Sequence, residues 1–238
     1  AIARATLLTL ITPPAGESEL AAILESLNDA DPLVRIGALR ALAQIPVEIR
    51  SVVGSNLLRD PVRGVRIEAA LAFADQRDLL PLLDARAFPM AIAEYRELLL
   101  VMVSNPDAAV RLGEIESRLG NTKAASRYYS HALKLNPTFA PAHHAYGLFL
   151  VRTGDYERAF EHISAAAELD PSNSRYAYVY GVAANSLGRV DDAVTILNNA
   201  WIRFPDDMEI GYALATVLRD NDQIESAATV AAALKSQF

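Results

Sequence analysis

The chain of 238 residues contains no cysteine. Disulfides, thiolate nucleophiles, cysteine-ligated zinc sites and haem attachment through Cys-x-x-Cys-His are therefore excluded within this chain. Aromatic residues are also few, at 7% of the total. No apolar run reaches the roughly 18 residues that a membrane-spanning helix requires, so we expect no membrane insertion.

A basic excess is missing as well. The net charge is −7, and acidic residues outnumber basic ones in both residues 1–104 and residues 105–238. Because nucleic-acid binding depends on basic contacts to phosphate, the sequence predicts no nucleic-acid partner. The chain has no Gly-x-Ser-x-Gly elbow, no His-Glu-x-x-His and no glycine-rich phosphate loop. These absences predict that the chain is not an enzyme and that it holds no cofactor.

The residues that are present favour helices around a large core. Hydrophobic residues make up 52% of the chain, and Ala and Leu dominate over β-branched residues. The chain opens with "AIARATLLTLI", which is already helical in pattern, has no N-cap and lacks an initial Met. We therefore expect this chain to be a piece of a longer protein.

A period of 34 residues runs through residues 105–238. Small residues and prolines recur in register, namely Gly113, Gly147, Gly181 and Ala215; Gly120, Gly154, Gly188 and Asp222; Ala125, Ala159, Ala193 and Ala227; Ala132, Ala166 and Ala200; Pro137, Pro171 and Pro205. Small residues allow two helices to approach closely, glycine accepts a left-handed turn, and proline ends a helix. The pattern resembles the tetratricopeptide repeat. The resemblance predicts units at 105–138, 139–172, 173–206 and 207–238, the last weaker because it has Ala215 and Asp222 in place of glycine.

Residues 1–104 carry a different repeat. "DADPLVRIGALRAL" (29–42) and "DPVRGVRIEAALAF" (60–73) align with a step of 31 residues, which matches Asp29 with Asp60 and Arg35 with Arg66. The Asp can cap the helix on which the Arg lies, and the Arg can pair along the stack. The pattern resembles HEAT repeats, with "AIARATLLTL" as a further copy in which Ala3 takes the place of the Arg. A strongly apolar helix at 91–104 is predicted to join this part to the tetratricopeptide units.

The combined prediction is an all-α, right-handed α–α solenoid of HEAT-like units followed by three to four tetratricopeptide units. No unit of this kind buries its apolar faces alone, so neighbouring units must stack.

The four histidines are His131, His143, His144 and His162. A metal site needs at least three converging ligands, or two histidines with carboxylates, and the spacing shows no such set. We therefore expect no metal site. By the repeat register His143 should pack between helices and His144 should face the groove, which leaves any further role for the two residues open.

The resemblance also implies a partner-binding groove lined by the first helix of each unit. The residues that it places there, apolar at the centre with Arg at the margins, are His144, Leu148, Val151, Arg152, Arg175, Tyr178, Val182, Asn185, Tyr212 and Arg219. Such a surface suits a protein or peptide partner with apolar anchors and an acidic residue. The alternative is that the Tyr residues only pack within the stack. Val110 and Glu114 stand where the carboxylate clamp of chaperone-binding relatives begins, which argues against that ligand.

One wider resemblance concerns the order of the two repeats. HEAT-like units followed by "APAHHAYGLFLVR" and "SRYAYVYGVAANSLGR" resemble the C-terminal region of bacterial multihaem c-type cytochromes. This resemblance implies an alternative function, as the docking region of a cytochrome in electron transfer, with an upstream haem domain of the same polypeptide as partner. It also implies a periplasmic location; without it, a cytoplasmic one is expected. The identity of the partner and the oligomeric state stay open.

Overall fold

The computed structural model describes residues 1–11, 16–46 and 52–237. Within them every regular element is a helix, which confirms the all-α prediction. The α-helices are α1 (Ile2–Thr9), α2 (Glu17–Ser26), α3 (Pro32–Gln44), α4 (Arg63–Phe73), α5 (Leu82–Val101), α6 (Pro106–Arg118), α7 (Thr122–Leu135), α8 (Ala140–Thr153), α9 (Tyr156–Leu169), α10 (Ser174–Ser186), α11 (Val190–Arg203), α12 (Met208–Asp220) and α13 (Ile224–Gln237). Two 3₁₀ helices, Ser55–Arg59 and Ala74–Leu79, flank α4. No helix in this described part is both long and apolar enough to cross a membrane.

The chain divides into two compact units. Unit 1 comprises Ala1–Val103 and Ile115–Asn121, and unit 2 comprises Ser104–Glu114 and Thr122–Phe238.

Unit 1 repeats one arginine geometry twice. The guanidinium of Arg35 pairs with Asp60 at 2.9 Å, and its Nη1 donates to the carbonyl of Asp29 at 2.7 Å. The guanidinium of Arg66 likewise pairs with Glu94 at 2.6 Å and donates to the carbonyl of Asp60 at 2.8 Å. Each arginine therefore closes the turn before its own helix and reaches a carboxylate further along the chain. The prediction that the arginines pair along the stack is confirmed.

Two details of that prediction are wrong. Arg4, and not Ala3, takes the arginine position of the first copy, since it pairs with Asp29 at 2.8 Å as Arg35 pairs with Asp60. The N-cap of α3 is Asp31, whose side chain accepts from the Leu33 amide. Asp29 instead accepts from the amide two residues ahead, which leaves its other oxygen for the arginine. A side chain that holds the turn is not the one that caps the helix.

Two helix boundaries in unit 1 also differ from expectation. The joining helix, predicted at 91–104, is the end of α5, which begins at Leu82 and runs through Pro89. Proline disfavours a helix interior, but Phe88, Ala91 and Ile92 are all buried on this helix, and their packing outweighs the lost hydrogen bond.

Unit 2 consists of helix–turn–helix repeats, and their turns follow the period. Gly120, Gly154 and Gly188 all adopt positive φ, and Asp222 does the same with φ 60°. The small residues of the helices allow close approach, since a Cβ on Gly147 would lie 2.7 Å from Ile163 Cγ1. Second-helix alanines at the equivalent positions are buried, which lets each helix pair close around a core that includes Tyr129, Tyr146 and Phe149.

Candidate functional site

The first helices of two neighbouring repeats, α8 and α10, enclose an apolar pocket in unit 2. Its volume is about 460 Å³. Leu148 and Val151 line it from α8, and Tyr178 and Val182 line it from α10. Because residues three or four apart lie on one face of a helix, each pair presents its side chains to the same space.

The second helix of the earlier repeat forms the remaining wall of this pocket. Tyr156, Phe160 and Ile163 of α9 contribute it. The sequence analysis did not include these residues, although their spacing of four and three marks one apolar helical face. The Phe160 ring packs against Tyr180 with centroids 5.4 Å apart, and Ile163 is fully buried. This wall is therefore fixed by the core of unit 2.

The mouth of the pocket exposes apolar surface. Val151 is 40% exposed and Val182 is 37% exposed, whereas Ala159 and Ile163 beneath them are buried. Apolar area left in water at about 25 cal/mol per Å² is available to stabilise a bound apolar group. The pocket can accept an apolar side chain but offers no arrangement for chemistry.

Arg175 stands at the edge of this surface and is already engaged. Its guanidinium pairs with Glu209 at 2.8 Å and lies 5.2 Å from the centre of the Tyr178 ring. Both members of the ion pair are more than half exposed, so the pair itself contributes little to stability. The cation orients the Tyr178 ring at the pocket wall.

His144 lies half-buried beside the Tyr176 ring, with centroids 4.6 Å apart, although the repeat register placed it in the groove. Burial, together with the positive charge of Arg175, lowers the pKa of His144. Its Nδ1 atom is buried without a hydrogen-bond partner. The imidazole is therefore neutral at pH 7 and belongs to the packing between α8 and α10.

The other central histidine, His143, forms a pair with His162 of α9. Their Nδ1 atoms are 3.0 Å apart, and His143 Nε2 lies 3.0 Å from the carbonyl oxygen of Pro137. A carbonyl only accepts, so His143 Nε2 carries a proton, and with both rings neutral His162 donates to His143. Burial, with the positive charges of His143 and Arg158, lowers the pKa of His162 to about 4. Among the described residues no group of three or more His, Asp or Glu could hold a metal ion.

A shallower depression of about 350 Å³ lies in the last repeat. Tyr212, Thr216 and Arg219 of α12 line it, with Ile224 of α13. The last three occupy, 68 residues later, the positions of Leu148, Val151 and Tyr156. Tyr212 is 61% exposed, and Arg219 pairs with its neighbour Asp220 at 2.8 Å.

The structure thus separates the ten residues that the sequence placed in the groove. Leu148, Val151, Tyr178 and Val182 meet in one pocket, and Tyr212 and Arg219 line the second depression. His144 is packed between helices, and Arg175 pairs with Glu209. Arg152 and Asn185 are exposed and line neither pocket.

Comparison with known proteins identifies the kind of repeat. Residues 97–200 match the family model described as anaphase-promoting complex, cyclosome, subunit 3. A TPR repeat-containing protein of Pseudomonas aeruginosa, PA4299, is 33% identical over 129 residues, which is 54% of this chain and 42% of that protein. The chain has a tetratricopeptide-repeat fold. It spans less than half the length of this curated relative.

Solved structures show the same fold at low sequence identity. PilF of Pseudomonas aeruginosa superposes with a TM-score of 0.56 at 20% identity, covering 76% of this chain and 78% of that one. MamA superposes with 0.55 at 17% identity, covering 66% and 95%. YrrB, described as a TPR protein with an unusual peptide-binding site, gives 0.52 at 19% identity, covering 60% and 74%. Tetratricopeptide folds serve as protein-interaction scaffolds and are typically non-catalytic. None of these relatives is described as a HEAT-repeat or haem protein.

Proposed function

We propose that unit 2 binds a peptide segment of a partner protein along its first helices, with one apolar side chain inserted in the pocket between α8 and α10. The observation that carries this proposal is the pocket of about 460 Å³. Its walls come from α8, α9 and α10, which are packed in the core, so the site exists before the partner arrives. A preformed site avoids the entropy of ordering on binding.

The size and lining of the pocket favour an aliphatic or aromatic anchor. Lining residues are almost entirely apolar, with only the hydroxyls of Tyr156, Tyr178 and Ser186 as polar groups. A buried charge on the anchor would find no partner there and would remain uncompensated. The exposed Tyr212 ring, one repeat further along, is a second apolar contact for a segment that follows the first helices.

A pocket-filling substitution tests this function. Val182→Trp places an indole at the pocket mouth, and Ile202→Trp is the matched control because Ile202 is 71% exposed on α11. A library of random peptides displayed on phage is selected on the unmodified chain, and the enriched peptides are measured by calorimetry.

We expect enriched peptides to share an apolar anchor and to bind Val182→Trp at least tenfold more weakly, with Ile202→Trp unchanged. Equal binding to all three proteins, with helicity intact, would overturn the proposal.

Two finer interpretations stay predictions. The HEAT-like interpretation of unit 1 is supported by the repeated geometry of Arg35 and Arg66. The cytochrome-docking alternative rests on the sequence resemblance alone. The visible absorption spectrum of the natural full-length product decides it, because covalent haem bands would support it and a colourless product would exclude it.

A further inference from the structure

The face of unit 2 made by the second helices contains a charged cleft. It lies between α7 and α9 and has a volume of about 660 Å³. Lys123 and Arg127 line it from α7, and Asp155 and Arg158 line it from the start of α9. These four charged residues, three of them basic, are called here the first junction. They stand out in a chain whose net charge is −7.

The next repeat carries the opposite charge at each of these four positions. Counting 34 residues onward gives Glu157 for Lys123 and Glu161 for Arg127, then Arg189 for Asp155 and Asp192 for Arg158. These four residues, at α9 and α11, are called the second junction.

The following repeat does not continue the pattern. Its four equivalent residues, of which only the first is charged, are Asp191, Thr195, Gln223 and Ser226. Helix packing within the 34-residue unit therefore does not require charge at these positions.

Within each junction the minority charge is already neutralised. Asp155 pairs with Arg158 at 3.0 Å, and Arg189 pairs with Glu157 at 3.1 Å. The residues left over are two cations in the first junction and two anions in the second, namely Lys123, Arg127, Glu161 and Asp192. All four are exposed, and in the described part of the chain none of them forms an ion pair.

We propose that this face binds a second copy of the chain, with the first junction of one copy against the second junction of the other. A two-fold axis between the junctions forms both contacts at once, because the two junctions are one repeat apart in each copy. Such a two-fold contact is self-complementary and closes as a dimer. Facing each junction with its own equivalent would instead oppose like charges, which disfavours that alignment.

The occupant follows from charge complementarity. A partner for this face must present an anionic patch and a cationic patch one repeat apart, and a second copy carries that pattern at that spacing. Exposed ion pairs contribute little singly and are screened by salt. We therefore expect a weak dimer that dissociates as the salt concentration rises.

Charge reversal on the complete chain tests the proposal. One variant, Lys123→Glu with Arg127→Glu, makes both junctions acidic, and a second, Glu161→Lys with Asp192→Lys, makes both basic. We expect sedimentation velocity to show dimers of the unmodified chain at low salt that are lost at about 1 M salt, where the screening length is about 3 Å. Each variant alone should dimerise at least tenfold more weakly. An equimolar mixture of the two variants should form a heterodimer, because acidic junctions then face basic ones.

A matched control separates the contact from net charge. Arg86→Glu with Lys235→Glu changes the net charge by the same amount as the first variant, at exposed positions outside both junctions. This control should dimerise like the unmodified chain. A chain that is monomeric at all concentrations, or mixed variants that stay monomeric, would overturn the proposal. Capture of an acidic peptide by the first junction without any self-association would also overturn it.

Discussion

His143 and His162 share a hydrogen bond whose Nδ1 atoms are 3.0 Å apart, and only one proton fits between them. The arrangement keeps His162 neutral, since burial and the neighbouring positive charges lower the pKa of His162 to about 4. The pair links α8 to α9 within one repeat. Its consequence is a dependence of stability on pH.

The first prediction is a loss of stability in mild acid. The pKa of His162 is lower in the folded chain than the 6.5 of an ordinary histidine, so below pH 6.5 the unfolded chain binds more protons. The contribution of His162 is therefore complete above pH 6.5 and is lost as pH falls toward 4. Allowing for partial exposure, we expect a loss on the order of 1 kcal/mol, measured by urea unfolding across this window.

His162→Gln is the variant that isolates this effect. Glutamine can still donate to His143 but does not titrate, so the acid-induced loss should shrink. It should not vanish, because the pKa of His144 is lowered as well and acts with the same sign. An unchanged pH profile in His162→Gln would show that the histidine pair is not its source.

A second prediction concerns helix approach at Gly147. A Cβ there would lie 2.7 Å from Ile163 Cγ1 and 3.2 Å from the backbone oxygen of Ala159. The backbone cannot move aside as a side chain can, so Gly147→Ala should destabilise by about 1–3 kcal/mol despite the better helix propensity of alanine. The measurement is the urea midpoint of unfolding.

Gly64→Ala is the control for that substitution. Gly64 also lies in a helix, but its Cβ would meet only Ile36 Cδ1 at an ordinary 3.5 Å. Propensity should then dominate and stabilise the chain by up to about 1 kcal/mol. The same sign of change for both variants would refute the steric account.

The third prediction compares two arginines of unit 1. Asp60 is nearly buried, at 5% side-chain exposure, and Arg35 is its ion-pair partner. Arg35→Met leaves that carboxylate without its cation, so we expect a loss of about 3 kcal/mol. Arg4→Met removes an equivalent pair in which the arginine is 59% exposed, and should cost less than about 1 kcal/mol. Comparable losses in thermal unfolding would contradict the role of burial.

The sequence predicted those features that one helix pair determines. The 34-residue period located the turn glycines and the close approach at Gly147, because both depend only on residues within the unit. The 31-residue step matched Arg35 with Arg66, yet the first copy was misaligned by one residue. Apolar pattern alone does not distinguish Ala3 from Arg4, whereas the carboxylate of Asp29 does.

The candidate pocket was less accessible to such reasoning. Four of its lining residues followed from the repeat register, but its wall from α9 did not, since that wall depends on side chains of three helices together. His144 shows the same limit. Its burial is caused by the ring of Tyr176 on the next first helix, and no local period encodes where that ring lies.

The last prediction concerns the turn of the fourth repeat. Asp222 has φ 60°, in the left-handed region that Gly120, Gly154 and Gly188 occupy in the other turns. An L-residue there costs roughly 1–2 kcal/mol, somewhat less for aspartate, whereas glycine adopts this region freely. Asp222→Gly should therefore stabilise the chain by about 0.5–1 kcal/mol, and Gly188→Ala should destabilise it by about 1 kcal/mol or more. Nothing lies within 4 Å of a Cβ on Gly188, so the second effect would report backbone conformation alone. Because repeat stability is approximately additive over neighbouring units, thermal unfolding of the double variant should show the sum of the two changes. A destabilising Asp222→Gly would mean that the aspartate side chain, and not the backbone, holds this turn.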